Sequence, residues 1–112
     1  MATNKNIQHT VSFSRYALGN NANLNWIDTS NVTNMRGLFS YSLFNGDISG
    51  WDVSSVENME SMFYSSEFNG DISRWDVSNV TNMWCMFEYS KFNGDISEWN
   101  VSNVTDMSYM FN

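Results

Sequence analysis

The chain repeats itself every 24 residues. Phe44, Phe68 and Phe92 open successive copies, Trp51, Trp75 and Trp99 recur at the same interval, and so do Met35, Met59, Met83 and Met107. A fixed period of this length marks supersecondary units that stack on one another, and it constrains the fold before any single residue is weighed. The copies are 20–43, 44–67, 68–91 and 92–112, the first degenerate and the last three residues short. In the first, Leu24 aligns with Ile48 and Val32 with Val56, which puts Ile27 in the tryptophan slot and Trp26 one residue early. Residues 1–19 do not repeat; they read as an N-terminal tail and cap over the first coil, with residues 1–8 expected to be disordered.

Two periods coexist within a copy. In Phe68-Asn-Gly-Asp-Ile-Ser-Arg-Trp75 the turn chemistry at Asn69-Gly70 leads into a short run around Ile72, which predicts a brief strand at Asp71 to Arg74. Val80, Met83, Met86 and Phe87 then follow at steps of three, three and one, which predicts one face of a short helix. Asn79, with Asn31, Ser55 and Asn103 at the equivalent places, stands where an N-cap would, and Ser54 with Glu57 has capping-box spacing. The expected fold class is an α/β solenoid, leucine-rich-repeat-like, with one short parallel β-strand and one short helix per 24-residue coil. Ordering backbone costs about 1–2 kcal/mol per residue, more than one small unit recovers by burial, so stacking is obligatory.

Composition narrows function. The net charge is −7, from 5 Lys and Arg against 12 Asp and Glu, and no basic cluster exists to meet a phosphate backbone, so nucleic acid is not an expected partner. Residues 1–20 hold no apolar run, so they read as neither a secretion signal nor a membrane span. His9 is the sole histidine and Cys85 the sole cysteine, which leaves no set for a histidine-based triad, a zinc cluster or a disulfide framework. Each Asn-Gly-Asp lacks the lysine of a phosphate loop. The expectation is a non-enzymatic protein that needs no cofactor.

WDVSNVTNM (Trp75–Met83), MF (Met86 and Phe87) and FNGDIS (Phe92–Ser97) resemble the bacterial surface-protein repeat of the BspA-like leucine-rich-repeat group, over residues 24–112. That resemblance implies a right-handed solenoid with strands on one face and short helices on the other. It also implies a cell-surface or extracellular setting and a protein that binds through an extended face. No lipoprotein-type signal or cysteine accompanies it here.

Candidate site residues come from what repeats and what does not. Asp47, Asp71 and Asp95 form a row with an expected spacing of ~4.8 Å, close enough for unit charges to repel by about 1 kcal/mol in water. The row reads either as a set of turn acceptors bonded to Ser49, Ser73 and Ser97 or as a Ca²⁺ row. Asp28, Asp52, Asp76 and Asn100 form a second row, in which the change to Asn keeps the acceptor and drops the charge, as a structural role requires. The Trp and Met columns read as core. Positions that change between copies face solvent, and Trp26, Arg74, Glu98, Trp84 and Tyr109 are the predicted binding residues, with Tyr41, Tyr64 and Tyr89 as further outward aromatics. The predicted function is a repeat scaffold presenting a protein- or glycan-binding surface. The alternative is an assembly module that self-associates through its last coil, whose Met107, Met110 and Phe111 carry no polar cover, or that sits within a larger shell such as a virion.

Overall fold

From Met59 to Ser66 the backbone alternates two kinds of hydrogen bond. The N–H groups of Met59, Ser61, Phe63 and Ser65 donate to Asn82, Trp84, Met86 and Glu88 in the next copy, at 2.8–2.9 Å. Those of Met62, Tyr64 and Ser66 turn inward to the carbonyls of Met59, Ser61 and Phe63, each at 3.2 Å. The same alternation runs from Met35 to Tyr41 and from Met83 to Phe87 in this computed structural model, which describes residues 1–111. Parallel bridges join Asn34 to Asn58, Asn58 to Asn82 and Asn82 to Asp106, so successive copies lie on one another in 24-residue register. Asn112, the last residue of the fourth copy, lies outside the described residues.

The short helix expected over Val80–Phe87 does not form; the segment is a chain of turns. A helix spends its N–H groups on its own carbonyls, whereas here every second one is spent on the neighbouring copy. Ser61, Ser65, Cys85, Tyr89, Tyr41 and Tyr109 also take positive φ, between 50° and 58°, which breaks any right-handed run. The predicted apolar positions are nevertheless buried: Val80, Met83 and Met86 are fully enclosed and Phe87 nearly so. Turns with a left-handed residue every fourth position place side chains inward at the same steps as a short helix. Asn79 is accordingly no N-cap; its Nδ2 donates to Ser54 O at 2.7 Å, as Asn103 does to Ser78 O at 2.6 Å.

The strand expected at Asp71–Arg74 is also absent, and parallel pairing there is confined to Asn23 and Asp47. In the later copies side chains make the connection: Asn45 Oδ1 accepts from Asn69 N at 2.7 Å, and Asn69 Oδ1 from Asn93 N at 2.8 Å. Asp71 Oδ1 captures Ser73 N and Oγ, curling the chain into a turn before it can extend. Gly70 permits that turn, since a Cβ there would stand 2.6 Å from the buried ring of Phe68.

The N-terminal residues form helix α1 (Ile7–Leu18), which alternation at Val11 and Phe13 concealed in the sequence. Ile7, Val11 and Ser14 face the first copy, and Gly19, at φ 92°, ends the helix with its N–H on Arg15 O. Residues 1–8, expected to be disordered, are tied down. Ala2 N donates to Asp28 O at 2.9 Å, and Asn4 Oδ1 accepts from Thr33 N and Asn34 N at 2.9 and 3.1 Å. In the next copy Glu57 N and Asn58 N find their acceptor in Thr33 O, so the Asn4 amide stands in for the backbone of a preceding copy.

One core runs through the stack. Phe39, Phe63, Phe87 and Phe111 form a column of near-parallel rings 5.3–5.6 Å apart. Trp51 and Trp75 stack at 6.5 Å, and the indoles of Trp51, Trp75 and Trp99 donate to Leu24 O, Ile48 O and Ile72 O in the copy before. Ile27 is buried in the first copy's tryptophan slot.

Candidate functional site

The turns that begin at Met35, Met59, Met83 and Met107 point their non-core residues to one side of the stack. Because the register is 24 residues, Tyr41, Tyr64, Trp84 and Tyr109, from four different copies, come to line one open groove of about 460 Å³. Ser61 and Cys85 lie between them, and Glu88 lies beside Tyr64 and Cys85. Tyr64 packs edge-to-face on Tyr41 at 5.3 Å and on Tyr89 at 5.8 Å, so the tyrosines form a ladder. Tyr41, Tyr89 and Tyr109 are well exposed and Trp84 partly so. The left-handed backbone that carries Tyr41 and Tyr109 costs an L-residue about 1–2 kcal/mol. At the equivalent of Tyr109 in the first copy the chain uses Gly37, which has no such penalty.

The groove is acidic, and its one thiol is hard to ionise. Burial pushes the Cys85 thiol up to about 12, with Glu88, Glu60 and Asp106 adding to the effect, so it stays protonated. Burial, Tyr41 and then Glu88 and Tyr89 hold the Tyr64 phenol above its ordinary range. Glu60 pairs with Arg36 at 2.6 Å, the one ion pair among the described residues, and Glu88 has no cationic partner there. His9 lies on α1 and does not line the groove.

The predicted binding residues separate into three places. Trp84 and Tyr109 share the groove, joined by Tyr41 and Tyr64 from the wider set of outward aromatics. Trp26 is exposed beside Met1, Ala2 and Thr10, at the end that α1 covers. Arg74 and Glu98 are exposed, do not line the groove and make no ion pair with each other. Cys85 and Glu88 were not singled out as site residues; their 24-residue offsets from Ser61 and Tyr64 are the signal that places them there.

The aspartate row is tied to its own turns. Asp47 and Asp71 each accept from the N–H and Oγ of the serine two residues on, and Asp95 accepts from Ser97 N. These bonds hold all three carboxyls below the ordinary aspartate range. Asp28, Asp52 and Asp76 make the same turn with Ser30, Ser54 and Ser78, and Asn100 makes it with Ser102 N alone. Among the described residues no three His, Cys, Asp or Glu side chains converge as metal ligands. No described helix is long and apolar enough to cross a membrane.

Stacked copies joined by turn ladders, with side chains of several copies aligned on one face, define a repeat-built protein with a lateral groove. The chain belongs to the family described as "Mycoplasma protein of unknown function, DUF285", whose model matches residues 6–112. Neither the curated proteins nor the solved structures yielded a match.

Proposed function

We propose that this chain is a non-enzymatic solenoid scaffold that presents a binding surface to a protein or glycan, and that the surface is the groove of Tyr41, Tyr64, Trp84 and Tyr109. The observation that carries the reading is that four copies contribute one aromatic each to a single recess, two of them from strained backbone. Aromatics are rigid contact groups, and repeat proteins generally bind through such extended faces. The resemblance of WDVSNVTNM and FNGDIS to BspA-like repeats supports a setting at the cell surface. The test is a binding screen against cell-surface proteins and glycans, repeated with Trp84→Ala. Position 84 holds Arg36, Glu60 and Ser108 in the other copies, so the fold accepts the change. Ligands captured by the native chain and lost by the variant support the proposal; no ligand, or equal capture by both, sinks it.

A second reading has its own observation. The outer face of the last copy exposes Met107 and Phe111 at 41% and 57%, against 0% and 2% for their equivalents Met83 and Phe87. Ile96, Trp99, Val101 and Met110 border the same recess of about 500 Å³. Such a face favours end-to-end self-association or packing within a larger assembly. Sedimentation over a range of concentrations decides it: a weight that rises with concentration, and falls back in Phe111→Ser, supports association, and a constant monomer removes it.

A further inference from the structure

The groove has a sign as well as a shape. Its aromatic faces carry negative quadrupolar charge. Glu88 beside Tyr64 has no cationic partner among the described residues, and Glu60 and Asp106 lie near enough to raise the Cys85 thiol. Arg36 answers Glu60 alone. The whole chain carries −7, so the field around the groove is negative as well. A neutral sugar would use the rings and could hydrogen-bond the Glu88 carboxylate, but would leave its charge unneutralised. A cation would use the rings and neutralise the charge as well.

We infer that the groove receives arginine or lysine side chains from a basic segment of a partner protein. The charged head would lie against Trp84 and the tyrosine ladder, with Glu88 as its counter-ion. Cation–π attraction is strongest at tryptophan and falls from tyrosine to phenylalanine, and guanidinium stacks on such faces more often than ammonium. The groove supplies one tryptophan and three tyrosines. Cys85 takes no part, because its thiol is protonated and enclosed. This inference rests on the proposed binding surface and names the partner's chemistry.

The test uses the full chain and a short fluorescein-labelled peptide of alternating glycine and arginine. A glutamine-for-arginine peptide and a neutral oligosaccharide are the controls, all read by anisotropy or calorimetry. The arginine peptide is expected to bind at low salt and weaken as ionic strength rises. Glu88→Gln and Trp84→Ala should each weaken it roughly 3- to 10-fold, with unfolding midpoints showing that both variants remain folded. Glu67→Gln, exposed and outside the groove, should have no effect. Equal binding of the arginine and glutamine peptides overturns the inference, as does arginine binding that neither groove variant weakens. If the oligosaccharide or the neutral peptide binds and Trp84→Ala abolishes it, the cation falls and the binding surface stands. If nothing binds, the cation inference falls, and the binding surface is decided by the screen against cell-surface proteins and glycans.

Discussion

At the scale of single residues, repetition turns small effects into columns. Gly46, Gly70 and Gly94 each sit two residues after a buried phenylalanine, and a Cβ at Gly70 or Gly94 would meet that ring at 2.6–2.7 Å. Phe68 is wholly enclosed and cannot yield, so Gly70→Ala should cost about 1–3 kcal/mol in urea unfolding, as overpacking does. The aspartate turns give the stability a pH dependence with a definite sign. Asp28, Asp47, Asp71, Asp76 and Asp95 all titrate below the ordinary aspartate value of 3.8 in the folded chain. A depressed folded pKa contributes stability that is present above the unfolded value and is lost as pH falls through the folded one. The unfolding midpoint should therefore decline below about pH 4, and Asp71→Asn, which keeps the acceptor as Asn100 does, should flatten that decline. The Cys85 thiol, pushed to about 12, should resist iodoacetamide at neutral pH in the native chain and react once urea unfolds it.

At the scale of elements, α1 does for the first copy what each copy does for the next. Asn4 offers its amide oxygen where Thr33 O serves the second copy, and Ile7 and Val11 close the apolar end. Ile7→Ala should cost about 2–5 kcal/mol, as buried aliphatic truncations do, and denaturant unfolding would measure it. The period, the core columns and the aspartate turns were legible in the sequence, because identical neighbours at fixed offsets can only stack. The turn segments were not. Met59, Met62, Phe63 and Ser66 are buried at steps of three, one and three, which a helix and a run of turns produce alike. What separates the two is the destination of alternate N–H groups, and that depends on a neighbour the local pattern does not contain. Helix α1 was missed for the converse reason: its buried face is only Ile7, Val11 and Ser14, too brief to outweigh the alternation at Val11 and Phe13. Of the candidate site, Trp84 and Tyr109 could be named from their failure to repeat, but their meeting with Tyr41, Tyr64 and Glu88 follows from the register of the stack.

At the scale of the whole molecule, the register gives length a natural unit. Each rung runs from a residue to a partner in the adjoining copy, as Met35 N meets Asn58 O and Met59 N meets Asn82 O. Excising residues 44–67 entire would bring like against like and leave every remaining rung a counterpart. Removing one residue from the same stretch would put that copy out of register with both of its neighbours, while rungs wholly beyond it, such as Met83 N to Asp106 O, keep their partners. The 44–67 deletion should still unfold cooperatively, with a smaller denaturant slope because less surface is exposed, while a single deletion at Ser61, which spoils the rungs on both sides of one copy, should lower the unfolding midpoint further than loss of the whole copy does. A gene encoding such a chain can therefore grow or shrink by whole copies at little structural risk, and each step would lengthen or shorten the groove by one rung of side chains. Reach across a partner's surface would then be set by copy number, independently of the chemistry any one copy displays.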